Sequence, residues 1–419
     1  MVSKMERAAS PLPATRPPPP LEYLLRLLHW TGVMRHPRAD SWSGRAFYIR
    51  KVVVSVAISA FLISQALALW TGGTADIDRF TLLLCTFNTV LAWLFRLGHI
   101  ALHERELHYL TAQVDRDFGD FLRPRDVHLV QTHDRHLRRI VLAYIWFSIA
   151  GCLWWIIFPL LRFGFCAEGL PFIMELPYEV TSPAAFIPTW FFCSILTLHP
   201  TPMTIAVDSF NVSLVAQLRV QLTLLSRNII ELANEDKDRS PVLVKHISSG
   251  NDLSSESVNG IHIARRLRKM ILHHQAIIRN TELLEKCLGV MLLGQSLSIG
   301  TSVCFQLFQV ALSAGSVAEA GKFGCYLSVM LAQLFVYCWF GDDLITESEK
   351  VSLAAYSAVT SLHGIPIPQK RSLLLLMVRA QRPLRITAGG FFPLSRESFV
   401  SVVNMSYSFF AILRNFKGE

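Results

Sequence analysis

Charged residues are scarce in this chain of 419: Asp, Glu, Lys and Arg make up 17%, against roughly 25% in a soluble domain. With an apolar fraction of 52% and a mean hydropathy of +0.37, this excludes an ordinary water-soluble globule and leaves a membrane protein. The common signatures of metal and nucleotide chemistry are missing too. The eight cysteines include no CxxC, and there is no GxGxxG, GxxxxGK[ST] or HExxH; in "HERELH" at 103–108 the histidines stand five apart and share no helical face. The chain is therefore read as not an enzyme, with no cofactor and no metal. Cys85, Cys152, Cys193, Cys287, Cys304 and Cys338 fall in or against apolar runs and read as small core side chains, while Cys166 and Cys325 lie near expected loops. The histidines of the polar stretches, among them His128, His133, His136, His262, His273 and His274, read as surface or helix-facing groups.

Signals of other membrane classes are absent as well. No TVGYG-like filter occurs and no span carries a ladder of arginines. Matching broken halves are not visible. Among ionisable residues in the apolar runs Arg96 and His99 stand out, both near one end of their run, where Arg96 is expected to snorkel. A cleavable leader is not expected, since the first long apolar run begins at Val52.

What is there is a series of runs of about 20 residues, each long enough to cross a bilayer: 52–71, 80–100, 138–161, 184–206, 287–312, 322–340 and 397–413. The last is diluted by Asn404, Ser406 and Ser408. The expected fold is an all-α integral membrane bundle of seven helices. Its expected parts are a tail at 1–51, spans one to four at 52–206, a polar connector at 207–286, spans five and six at 287–340, anchor helices at 341–396, and span seven with a short tail at 397–419.

Charge sets the orientation. Nine Lys and Arg lie in the tail through Lys51, whereas the connector 162–183 sets Glu168, Glu175 and Glu179 against Arg162 alone. The connector 101–137 holds five Arg, "RRLRK" stands at 265–269, and 341–396 carries Lys350, Lys370, Arg371, Arg379, Arg382, Arg385 and Arg396. By the positive-inside rule the amino terminus is cytoplasmic, and seven crossings put the carboxyl terminus outside. That is the reverse of a G-protein-coupled receptor. The net charge of +9 reads as contact with anionic lipid rather than nucleic acid.

Outside the spans, the prolines Pro17 to Pro20 read as an extended lead-in, and "LEYLLRLLH" at 21–29 has the period of a helix lying on the membrane or on the bundle. From Ile261 a pattern without Gly or Pro runs as a long helix into span five. "YCWFGDDLITESEKV" is expected to leave the membrane at Phe340 and Gly341 and to begin a new helix capped by Thr346 or Ser348. A further helix over about 368–382 ends at Pro383, and "TAGGFFP" bends into the last span.

The series "FGDDLITESEKV", "AYS" and "LLLLMVRAQRPLRITAGGFFPLSRESFVSVVNMSYSFFAILRN" resembles the carboxyl-terminal signature of the insect odorant receptor family. Seven spans with an inner amino terminus extend the likeness over nearly the whole chain. The resemblance implies an odorant-binding subunit of a ligand-gated nonselective cation channel, assembled with a shared co-receptor as a heterotetramer in the plasma membrane of olfactory sensory neuron dendrites. The connector of about 80 residues between spans four and five, and Leu413 where the co-receptor has Gln, fit the odorant-specific kind. The other function class in view is a non-conducting chemosensory receptor that signals through cytoplasmic partners.

For a small volatile ligand, an apolar and aromatic pocket between helices in the outer half of the membrane is expected. Residues spaced three or four apart there are Phe87 and Leu91, Trp154 and Phe158, Phe191 and Ile195, Phe305 and Gln309, with Tyr326 on span six. On the last span Val403, Ser406, Phe410 and Leu413 form one stripe by the same spacing. The resemblance implies that this last helix lines the central pore, constricted near its outer end where Phe410 and Leu413 stand.

Overall fold

The computed structural model describes residues 21–36, 41–71, 77–174, 176, 178–180, 182–247, 253–361 and 366–418. The proline run at Pro17 to Pro20 lies outside them. Eleven helices follow in order: α1 (Glu22–Thr31), α2 (Ser41–Thr71), α3 (Ile77–Leu102), α4 (Glu104–Phe121), α5 (Val127–Phe163), α6 (Pro183–Leu198), α7 (Pro200–Ile247), α8 (Leu253–Leu312), α9 (Val317–Ser361), α10 (Ile367–Ala380) and α11 (Arg396–Gly418). A two-stranded hairpin, β1 (Thr387–Ala388) and β2 (Phe392–Pro393), precedes α11. Among the described residues six helical stretches are long and apolar enough to cross a membrane: α2, α3, α5, α6 with the first part of α7, α8 and α9. The protein is thus an all-α, multi-span membrane bundle. Helix α11, with 23 residues, is not among the six; its seryl and asparaginyl side chains dilute it.

Length divides the molecule. At about 1.5 Å per residue the 60 residues of α8 far exceed the ~30 Å of hydrocarbon in a bilayer. The 48 of α7 and the 45 of α9 exceed it as well. These three helices run on beyond the membrane and pack together there. Leu222, Leu225 and Ile229 of α7 and Leu267, Met270 and Leu284 of α8 are buried in one apolar cluster. Leu344, Val351 and Ala355 of α9 and Leu373 and Leu376 of α10 belong to the same cluster. Helix α1 joins α7 through Leu21, Leu24 and Leu28, so the amphipathic segment packs on the bundle.

Helices run through the segment boundaries expected at 206/207, 286/287 and 340/341. The polar stretch after 206 is itself helical, because α7 continues through it to Ile247. Likewise α9 does not stop at Gly341, and Thr346 and Ser348 cap nothing. Gly341 instead permits a close approach: a Cβ there would collide with the Leu394 carbonyl. Thr346 bonds back to the Asp342 carbonyl at 3.0 Å, and the buried Ser348 hydroxyl accepts from the Leu384 amide at 2.9 Å. Asp342 and Asp343 serve the start of α11, at 3.1 and 3.2 Å from the Arg396 guanidinium, which also lies over the Trp339 ring at 4.0 Å.

The hairpin fixes where α11 begins. Gly389 and Gly390 have φ of 59° and 80°, as the turn types that match strand twist require, and the Phe391 amide donates to the Ala388 carbonyl at 3.0 Å. The Gly389 amide donates to the Gly289 carbonyl of α8 at 2.9 Å, an approach that two glycines make possible.

Candidate functional site

A cavity of about 220 Å³ opens among the spans. Each long helix contributes one face of it, by residues three or four apart: Thr86, Thr89, Val90, Trp93 and Arg96 of α3; Tyr144, Ser148, Gly151, Cys152 and Trp155 of α5; Gln295, Ser298, Ile299 and Ser302 of α8; Lys322, Tyr326, Val329, Met330 and Gln333 of α9. Ile58 and Phe61 of α2, Phe172 of the α5–α6 connection, and Thr201, Thr204 and Ile205 of α7 close it. Helix α7 restarts there because Pro200 has no N–H to continue α6.

The walls are apolar and aromatic, and most of their polar groups are already engaged. The Tyr326 and Thr89 hydroxyls share a hydrogen bond of 2.6 Å. Asn88 donates to Ser302 at 2.9 Å. Trp155 packs against Tyr326 with ring centroids 5.5 Å apart, and the Lys322 ammonium sits 4.1 Å above the Trp155 ring.

One end of the cavity is a buried polar node. Arg96 pairs with Asp208, and both are buried. Asp208 also accepts from Tyr144 at 3.1 Å, Tyr337 at 2.9 Å, Gln333 at 2.5 Å and Gln295 at 3.4 Å. Donors from α3, α5, α8 and α9 thus converge on one carboxylate of α7, and this satisfies a charge that would be very costly to bury alone. The expectation that Arg96 snorkels is corrected here. Its counterion stands two residues past the expected end of span four, in what reads as a polar connector.

Of the nine residues expected around a ligand, Tyr326 lines this cavity and the other eight do not. Leu91, Trp154, Phe191 and Ile195 are exposed on the outer surface of the spans. Phe87 and Phe305 are half-buried, Phe158 is buried against Trp154, and Gln309 is tied to Thr81 and the Asp78 carbonyl at 2.8 and 2.9 Å. The spacing finds a face of a helix but not which way that face points, since lipid accepts aromatics as readily as a core does. The informative signal was small and hydroxylic: Thr86, Thr89, Ser148, Gly151, Ser298 and Ser302 mark inward faces, as such residues do within membranes.

The stripe on α11 is turned the same way. Ser406 is buried and donates to the Gly300 carbonyl of α8 at 2.9 Å. Phe410 packs with Cys304 and Phe308, Leu413 borders that cluster, and Val403 is half-buried. These side chains hold α11 to its own subunit; the opposite face, with Ser401, Asn404, Met405, Ser408 and Ile412, is uncovered. Among the described residues no three His, Cys, Asp or Glu are grouped to hold a metal ion. His273 is buried, stacked on Phe121 at 4.4 Å and bonded to Gln221.

Comparison with known proteins adds a family and a fold. The family described as 7tm odorant receptor matches residues 76–407. Odorant receptor Or2 of Anopheles gambiae is 25% identical over 332 residues, covering 78% of this chain and 81% of the relative. Odorant receptor 85c of Drosophila melanogaster is 21% identical over 390 residues, covering 91% and 93%. In structure, the olfactory receptor OR5 of Machilis hrabei, solved in complex with eugenol, superposes with a TM-score of 0.77 over 94% of this chain and 97% of its own, at 14% identity.

Proposed function

Because this chain belongs to the 7tm odorant receptor family, we propose that it is the odorant-binding subunit of a ligand-gated nonselective cation channel. In this reading it sits in the plasma membrane of olfactory neuron dendrites and assembles with co-receptor subunits as a heterotetramer. The amino terminus is cytoplasmic, α11 is the seventh crossing, and the extensions of α7, α8, α9 and α10 lie in the cytoplasm as the anchor. One observation carries the proposal: an apolar, aromatic cavity of about 220 Å³ that seven helices, α2, α3 and α5 to α9, line within the spans, of the kind that takes a small organic molecule. The solved relative in complex with eugenol supports a volatile ligand of that size.

The pore wall is proposed on the uncovered face of α11, with Ser401, Asn404 and Ser408 toward the ions and Ile412 as the apolar constriction. Serine and asparagine in a crossing helix need water or a partner, and on this face the Ser401 and Ser408 hydroxyls bond only back to the Glu397 and Asn404 carbonyls of their own helix, each at 3.0 Å, while Asn404 itself is exposed. A ring of apolar side chains can close such a conduit by dewetting. Ligand in the cavity shifts α9, and α9 holds the start of α11 through Asp342, Asp343 and Arg396; opening is read as a shift in population between two arrangements of that joint.

The test is current recorded on addition of volatiles, eugenol among them, to cells that express this chain with the co-receptor. A response that survives removal of G-protein signalling and shifts in ion selectivity with Asn404→Asp is expected. A response abolished by G-protein blockade alone would overturn the channel reading in favour of the non-conducting receptor.

A further inference from the structure

Two basic side chains enter the cavity wall, and they are treated differently. Arg96 has its counterion in Asp208. Lys322 has none: among the described residues no carboxylate makes a salt bridge with it. Glu319, one turn earlier on α9, pairs with Arg162 at 2.9 Å and reaches Lys322 only through its field. The ammonium rests on the Trp155 ring at 4.1 Å and near Phe323 at 5.7 Å. Aromatic faces offset part of the cost of such a cation but do not neutralise it. The Tyr326 hydroxyl, on the next turn of α9, is engaged with Thr89 at 2.6 Å.

Lys322 and Gln333 both line the cavity, and the eleven helical steps from one to the other span roughly 16 Å. The cavity therefore runs from a cation without a salt bridge at the start of α9 to a neutralised node, with Val329 and Met330 between them. A molecule with one anionic oxygen group and an apolar body matches that order of charges. We propose that the cavity is specific for small carboxylates, with the ligand carboxylate seated on the Lys322 ammonium and its hydrocarbon lying along Val329 and Met330. This rests on the reading of the cavity as the ligand site; it adds the chemical class of the ligand and the residue that selects it.

The experiment compares hexanoate with 1-hexanol, of equal chain length, at pH 7. Binding to the purified full chain in lipid nanodiscs is measured by titration calorimetry against empty nanodiscs, without any need for conduction. Hexanoate should bind about ten-fold more tightly or better, as a charge-assisted contact allows. Lys322→Met should abolish that preference while hexanol affinity stays within about two-fold, and Lys322→Arg should keep it. Equal affinity for the two ligands in the wild-type chain, or a preference that survives Lys322→Met, overturns the proposal. Should Lys322→Met bind neither ligand, Lys322→Gln, which keeps a long polar side chain, is read instead against the same ratio. Alcohol binding without acid preference sinks only the carboxylate assignment, whereas binding of neither ligand by the wild-type chain, with odorant currents intact, moves the ligand site elsewhere.

Discussion

Across the apolar window of α5 only 22% of residues are buried, whereas in the extensions Leu222, Leu225, Leu284, Leu344 and Val351 are wholly enclosed. Packing in the first region is sparse because lipid covers the outside of the spans and a cavity occupies the inside. Hydrophobic burial holds the second together, as in a water-soluble helical protein. The spans instead rely on a few hydrogen-bonded contacts, chiefly those at Asp208, since burial against lipid supplies little force between helices. In the proposed function, the region that admits a ligand and moves is the one with fewer enclosed side chains, and the region that anchors is the densely packed one.

The contrast breaks most severely at its polar node. Asp208→Ala leaves Arg96 buried and unpaired, and a loss of about 3–5 kcal/mol is expected. It is read as a lower melting point of the solubilised protein, and the double variant Asp208→Leu with Arg96→Met should regain much of it. In the extension, Gly341→Val forces a side chain into the Leu394 carbonyl, and a loss of about 1–3 kcal/mol is expected, typical of overpacking. Because that contact sets the start of α11, basal current should change with it in the assembled channel.

A smaller effect separates the two tryptophans. Trp155→Ala removes a cavity wall and should raise the half-maximal ligand concentration about ten-fold, as loss of an aromatic anchor does. Trp154→Ala, on the exposed outer side, should move it less than about two-fold. Equal shifts would mean that ligand does not occupy this cavity.

A further effect is a pH dependence outside the spans. On α4, burial raises the Asp115 carboxyl to about 7 from 3.8, with the Glu22 charge adding to the rise. A carboxyl raised on folding contributes stability that is fully present below about pH 4 and is lost as pH rises through about 7. Asp115→Asn should flatten the melting point over that interval. An unchanged slope would assign the dependence to other groups.

Much of the architecture was legible along the chain. Runs such as 80–100 and 138–161 announce themselves because a crossing helix must be apolar over its whole length, and α1 and the helix from Ile261 show in their periodicity. The "TAGGFFP" bend shows in its glycines, which alone adopt its backbone cheaply. The register of the cavity was not legible: Trp154 and Trp155 are neighbours of the same type, yet one is exposed on the outer surface of the spans and the other lines the cavity.

The sequence by itself determined that this is a multi-span helical membrane protein and pointed to its family, because transfer of a segment into hydrocarbon depends on that segment's composition alone. The tertiary structure decided which faces meet. Asp208 pairs with Arg96 across 112 positions of chain, Ser406 turns to Gly300 across 106, and Asp342 holds Arg396 across 54. Each is a contact between helices whose rotation about their own axes is set by their neighbours. In a bilayer, which rewards every apolar face alike, that rotation leaves only a faint mark on the local pattern.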